Sequence, residues 1–310
     1  MKNINLHFVF FLSILVSQPL LAQNWIPFQW HGDSIGNKYF DKLAIVVPVK
    51  IDNLPYNFGM QLDLGAVETM FYEKNISEIL STHPDLKQKI DTTSTFWINN
   101  SKNPMMKNIN LNLGNMDLGL RNIGLYKNFG TTTKIDATTE KPILIGTIAP
   151  DIFKNKILII DYPNNRLSIQ DSIPNTLQKA SFSNFEQQNG RIFIHFQIDG
   201  HDERLMFDTG SSMFSLITTP RRARKIANRK ITDKFTVNSW GKPLVIYEKT
   251  IDKKITFGSS KIVSSRVYYC KNFNFKLLYF MLKIWGITGN ANFLNNVIII
   301  DYKNQKFGVN

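Results

Sequence analysis

Phe207-Asp208-Thr209-Gly210-Ser211-Ser212 and Leu62-Asp63-Leu64-Gly65-Ala66 are two copies of one short pattern: an apolar residue, then Asp-x-Gly, then a small residue. The sequence around them repeats too. Val47-Pro48-Val49-Lys50-Ile51-Asp52 precedes the first copy as His195-Phe196-Gln197-Ile198-Asp199-Gly200 precedes the second. Downstream, Leu111-Asn112-Leu113-Gly114 answers Ile255-Thr256-Phe257-Gly258, and Lys127-Asn128-Phe129 answers Lys271-Asn272-Phe273. Each unit closes alike: Ile145-Gly146-Thr147 precedes Ile157 to Asn165, and Trp285-Gly286-Ile287 precedes Val297 to Gln305. A repeat of this kind implies two structurally equivalent lobes. The polar stretch Asp171 to Gly190 reads as the linker, with one lobe over 23–175 and the other over 176–310.

Apolar runs of about four to seven residues, rich in Ile, Val, Phe and Leu and broken by Asn, Asp, Gly and Pro, recur from about residue 42 onward. The expected class is all-β with short helices, the latter near Glu73 to Leu80, Pro220 to Asn228 and Phe275 to Lys283. With 310 residues and 43% hydrophobic content the chain can bury a sizeable core, and disordered, fibrous and disulfide-scaffold classes are excluded. The formal net charge of +13 favours anionic surfaces without naming one.

Lys2, the apolar stretch Phe8 to Val16 and Leu20-Leu21-Ala22 have the three-part layout of a secretory signal peptide over 1–22. The apolar core is shorter than the roughly 20 residues of a spanning helix, which favours cleavage after Ala22 over retention as an anchor. An exported protein, periplasmic or secreted, is expected. Cys270 is the single cysteine, so no internal disulfide forms; Tyr268-Tyr269-Cys270 reads as a strand with a buried thiol. The five histidines show no metal-ligand spacing, and no cofactor is expected.

A carboxylate in a turn after a buried strand has a plain explanation, since Asp caps turns and Gly supplies positive φ. The duplicated context adds a second one. If the lobes pack about a pseudo-twofold axis, Asp63 and Asp208 meet, share one proton, and act as base and acid on a water molecule. In these residues, together with the apolar-apolar-Gly elements Leu144-Ile145-Gly146 and Ile284-Trp285-Gly286 and the tail Trp285 to Val309, the chain resembles the pepsin-like, bilobal aspartic proteases in their bacterial form.

The resemblance covers about residues 40 to 310. It implies an acid-protease fold of two pseudo-symmetric β-barrel-like lobes and an aspartic endopeptidase acting on peptide or protein substrates. It makes Asp63 and Asp208 the catalytic pair, has the Thr209 hydroxyl tie the two loops together and Ser211 bond Asp208, and lets Gly65 and Gly210 bring backbone N–H groups to the carboxylates. A flap hairpin is implied within Ser94 to Lys107, where Trp97 is either the flap aromatic or a core aromatic on a strand.

The first loop departs from the pattern. Leu64 has no hydroxyl to mirror Thr209, and Ala66 cannot donate to Asp63 as Ser211 can to Asp208, which makes Asp63 the more readily protonated partner and shifts activity toward less acidic pH. The same changes motivate an alternative: a catalytically impaired, protease-like peptide-binding protein. A third reading, an unrelated β-sandwich interaction module, leaves the matched Asp-x-Gly pair unexplained.

Arg221, Arg222, Arg224 and Lys225, continued by Arg229 and Lys230, form a basic cluster that is either a solvated helix face or a contact for an anionic envelope surface. No aromatic stacking platform accompanies it, so no nucleic-acid partner is expected; nor is an oligomer. The aromatic run Phe273 to Phe280 reads as core, as a layer between lobes, or as substrate pocket.

Overall fold

The computed structural model describes residues 24–98, 100–135, 141–258, 260–261 and 265–310. The chain is mostly β-structure, with short α-helices at Ser77–Thr82, Pro84–Gln88, Pro220–Ile226 and Phe273–Met281. Two burial patterns recur among its strands. Lys38–Ile51 and Arg191–Ile198 alternate, so that Val47, Val49 and Ile51, or Ile194, Phe196 and Ile198, are buried between more exposed neighbours such as Lys50, His195 and Gln197. Met70–Tyr72, Ile157–Asp161 and Gly286–Thr288 are buried at every position, as strands covered on both faces must be.

These strands form three sheets. The first runs in the order Gln29–Ile35, Lys38–Ile51, Phe58–Leu62, Ile143–Ile148, Met70–Tyr72, Met116–Tyr126, Ser101–Leu113, Ile90–Ile98. An extra pairing of Lys38–Ile51 with Ser101–Leu113 joins six of them into a ring. The second runs Ala227–Ser239, Lys242–Ile251, Arg266–Cys270, Ile217–Thr218, Gly286–Thr288, His201–Phe207, Arg191–Ile198, Ile255–Phe257, Ser260–Lys261, with Glu186–Gln188 also on Arg191–Ile198.

The order of pairing recurs between these two sheets. Phe58–Leu62 lies parallel to Ile143–Ile148, which is antiparallel to Met70–Tyr72, which is parallel to Met116–Tyr126. In the second sheet His201–Phe207, Gly286–Thr288, Ile217–Thr218 and Arg266–Cys270 stand in the same relations. The third sheet draws on both ends of the chain, in the order Ile26–Pro27, Arg166–Gln170, Ile157–Asp161, Val297–Asp301, Lys306–Val309, Ser181–Asn184, with Ile159 opposite Ile299 at its centre. One apolar cluster runs through all three, from Ile26 to Val309.

Several expectations need correction. Asp171 to Gly190 is no bare linker: Ser181–Asn184 pairs with Lys306–Val309 and Glu186–Gln188 with Arg191–Ile198, anchored by the buried Phe185. Glu73 to Asn75 form a turn, and the first helix begins only at Ser77, followed by Pro84–Gln88, where Pro opens the helix. The run Phe273 to Phe280 is a helix whose Tyr279 is buried, but Phe273 and Phe280 are exposed, so it is not wholly core. Cys270 is buried, unpaired and on a strand, as expected. No helix among the described residues is long and apolar enough to cross a membrane; the leader assigned to 1–22 lies outside the described residues.

Candidate active site

Each Asp-x-Gly turn hangs from the end of a parallel strand pair. The Asp63 N–H donates to the Ile148 carbonyl at 2.9 Å, one step beyond the pairing of Leu62 with Ile148. The Asp208 N–H donates to the Thr288 carbonyl at 2.9 Å, one step beyond the pairing of Phe207 with Thr288. Both aspartates therefore leave the sheet at the same point of the same local topology.

The turns then interlock. A Cβ placed on Gly65 would fall within 2.7 Å of the Asp208 carboxylate carbon and both its oxygens, and one on Gly210 within 2.7 Å of the same atoms of Asp63. Each glycine thus presents its bare α-carbon to the opposite carboxylate. Positive φ is not the reason for glycine here, since neither residue has it. Only the missing side chain lets the two turns approach so closely.

Thr209 ties the turns together as the resemblance implied. Its buried hydroxyl donates to the Leu62 carbonyl at 2.8 Å and accepts from the Leu64 N–H at 2.9 Å. Leu64, fully buried in the main cluster, has no hydroxyl with which to return these bonds. Asn290 braces the second turn: its amide donates to the Thr209 carbonyl at 3.2 Å and the Ser212 hydroxyl at 2.9 Å, while its oxygen accepts from the Tyr162 hydroxyl at 2.7 Å.

The carboxylates differ in their partners. Asp208 accepts from the Gly210 N–H at 2.9 Å on one oxygen and from the Ser211 hydroxyl at 2.8 Å on the other. Asp63 accepts on one oxygen from the N–H groups of Gly65 at 2.9 Å and Ala66 at 3.0 Å. Ala66 thus supplies through its backbone a donor that its side chain lacks. Burial pushes the Asp63 carboxyl well above the usual carboxylate range, and the charge and hydrogen bonding of Asp208 push it further. The N–H groups of Gly65 and Ala66 work against this rise, whose first cause is burial rather than the missing hydroxyl at Ala66.

Three features of the site had no distinct signature in the sequence. Arg191, which opens the strand Arg191–Ile198, donates from Nε to the Gly65 carbonyl at 2.8 Å across 126 residues of chain. Tyr72 shares a buried hydrogen bond with Thr147, and the charge of Asp63 adds to the burial that raises its hydroxyl. Behind the first turn, Asp151 accepts from the Thr69 N–H at 3.0 Å and hydroxyl at 2.7 Å; burial raises Asp151 to about 6, and burial with the Asp151 charge raises Glu68 to about 7. A lone Arg or Glu beside a turn is common, so only the packed chain reveals these contacts.

The remaining candidates lie apart. Trp97 is on a hairpin made by Ile90–Ile98 and Ser101–Leu113. It is 64% exposed, which excludes the core role; its neighbour Phe96 packs inward, close to Gly124. In the basic cluster, Arg221, Arg224 and Lys225 are exposed, but Arg222 donates to the carbonyls of Ile284 and Trp285 at 2.8 and 3.0 Å, so it is not part of a free cationic face. Arg229 and Lys230 lie on the strand Ala227–Ser239 rather than on the helix. Among the described residues no three His, Cys, Asp or Glu side chains converge in a way that could hold a metal ion. The sequence matches no protein-family model and no curated protein.

Proposed function

We propose that the protein is an exported aspartic endopeptidase whose two recurrent sheets are the pseudo-symmetric lobes of an acid-protease fold. The observation that carries this reading is the reciprocal packing of Gly65 on Asp208 and of Gly210 on Asp63, which brings two carboxylates from remote parts of the chain into one site. Such a pair holds a single proton over a wide pH range and titrates as a unit.

In this reading Asp208, charged, accepts a proton from a water molecule as its oxygen attacks the peptide carbonyl carbon. Asp63, protonated, donates to the carbonyl oxygen as negative charge develops there. The tetrahedral diol then collapses: the C–N bond breaks, the amine leaves with a proton from the pair, and the carboxyl product departs. The backbone donors on Asp63 and the Ser211 hydroxyl on Asp208 fix both carboxylates for this exchange. The Ala66 N–H on Asp63 and the intact Thr209 link favour a working pair over the impaired, binding-only alternative.

A peptide carrying a hydroxyl in place of the scissile carbonyl, as in pepstatin, mimics the diol and tests this directly. It is expected to bind the wild-type chain at least about tenfold more tightly than Asp208→Asn, a modest value for a transition-state mimic. Equal binding to both, or none to a folded wild-type chain, contradicts the proposal.

A further inference from the structure

Arg191 is used by neither carboxylate, yet it stands beside both. Its Nε donates to the carbonyl of Gly65, whose α-carbon faces the Asp208 carboxylate and whose N–H donates to Asp63, so one residue links the guanidinium to the pair. Among the described residues Arg191 forms no ion pair, and its terminal nitrogens make no hydrogen bond. They are not among the buried polar atoms without a partner either, so solvent reaches them. Arg191 is thus partly buried and held at Nε, with the terminal nitrogens unpaired among the described residues.

That is the geometry with which arginine grips a carboxylate, through two parallel N–H donors at a pre-set orientation. The fields of Asp208 and Asp63 act on Arg191 and oppose the effect of its burial, as expected for a cation that offsets the net negative charge of a singly protonated pair. An acidic substrate group nearing that pair meets repulsion unless a cation stands beside it.

We propose that Arg191 is a specificity-determining residue that binds a substrate carboxylate, so that peptides with an acidic group next to the scissile bond are preferred. This rests on the aspartic endopeptidase reading. The carboxylate can come from an Asp or Glu side chain or from the C-terminus of the peptide, and the two sources are separable.

The test uses matched peptides that differ only as Glu against Gln at each position flanking the cleaved bond, all with amidated ends, and a second set with free against amidated C-termini. They are cleaved by the wild-type mature chain, Arg191→Gln and Arg191→Glu, with thermal melting to verify folding. The same pairs are titrated onto Asp208→Asn and Asp208→Asn/Arg191→Gln, so that binding is read without hydrolysis. The wild type is expected to favour the acidic member of one set by about tenfold or more in kcat/KM, the scale of a charge-assisted hydrogen-bonded pair. In Arg191→Gln the ratio falls to near one, and in Arg191→Glu the preference reverses to the uncharged member. The set that shows the effect identifies the source. Equal use of both members by the wild type, or a preference that survives Arg191→Gln, overturns the inference and leaves the endopeptidase reading standing. If no peptide is cleaved, the endopeptidase reading fails, and the binding ratio on Asp208→Asn still decides whether Arg191 reads a carboxylate.

Discussion

Gly65 and Gly210 are as necessary to the site as the aspartates, because a methyl group on either one would overlap the opposite carboxylate. Gly210→Ala is expected to destabilise the fold by about 1–3 kcal/mol, the usual cost of over-packing, and to lower activity by more than that loss explains, because Asp63 must shift. Urea unfolding and cleavage rates measured on the same preparation check both. Thr209→Val keeps the shape but leaves the Leu62 carbonyl and the Leu64 N–H buried without their partner. A loss of about 1–3 kcal/mol, typical of unsatisfied buried groups, is expected in the urea midpoint. No measurable change would mean that packing at Leu64, and not the hydroxyl link, holds the turns together. The paired turns were legible in the sequence because Asp-x-Gly occurs twice in matched surroundings. The reason for each glycine was not, since a close approach and a positive φ select the same residue.

At the scale of elements, the two strands paired in the middle of the third sheet are each followed by a tyrosine, with unequal fates. The Tyr162 hydroxyl, after Ile157–Asp161, reaches Asn290, whereas the Tyr302 hydroxyl, after Val297–Asp301, is buried with no hydrogen-bond partner among the described residues. A buried hydroxyl without a partner is costly, so Tyr302→Phe is expected to be neutral or to stabilise, while Tyr162→Phe, which strips a bond from the Asn290 brace, costs about 1 kcal/mol. Differential scanning calorimetry of the two variants should give melting shifts of opposite or clearly unequal size; equal losses would contradict the assignment. The strands were readable because their burial alternates or is continuous over a run. The helix Phe273–Met281 was harder to place, because its apolar side chains lie on both its buried and its exposed sides, leaving no polar face to show which way it turns. Pro84–Gln88 is barely more than one turn, too short for a periodic signal.

For the whole molecule, burial raises several acidic groups, and this shapes how stability changes with pH. Asp151 rises from 3.8 to about 6, Glu68 from 4.5 to about 7, and Asp63 shifts in the same direction. Between the unfolded and folded values the native chain holds more protons than the unfolded one, so the contribution of Asp151 and Glu68 is fully present below pH 3.8 and falls as pH rises to about 7. Asp151→Asn keeps an acceptor for Thr69 and is expected to flatten this slope in urea midpoints taken from pH 4 to 7.5; a slope unchanged from wild type would contradict the assignment.

The two recurrent units and the turns they bring together could be read along the chain. The contact of Arg191 with Gly65 could not, because it joins a strand's first residue to a turn 126 residues away, and nothing local marks either end. The site depends on just such long-range meetings, and the central claim is that the one between Asp63 and Asp208 cleaves peptides. The most direct test is peptide-library cleavage by a chain begun at residue 23, from about pH 3 to 8, a range that brackets shared-proton carboxylate pairs, with Asp63→Asn and Asp208→Asn alongside. Cleavage by the wild type, reduced on the order of 10²–10⁴-fold in each variant, is predicted for a positioned acid–base pair. A folded wild-type chain that cleaves nothing at any pH, or variants that cleave as well as it does, would contradict the account.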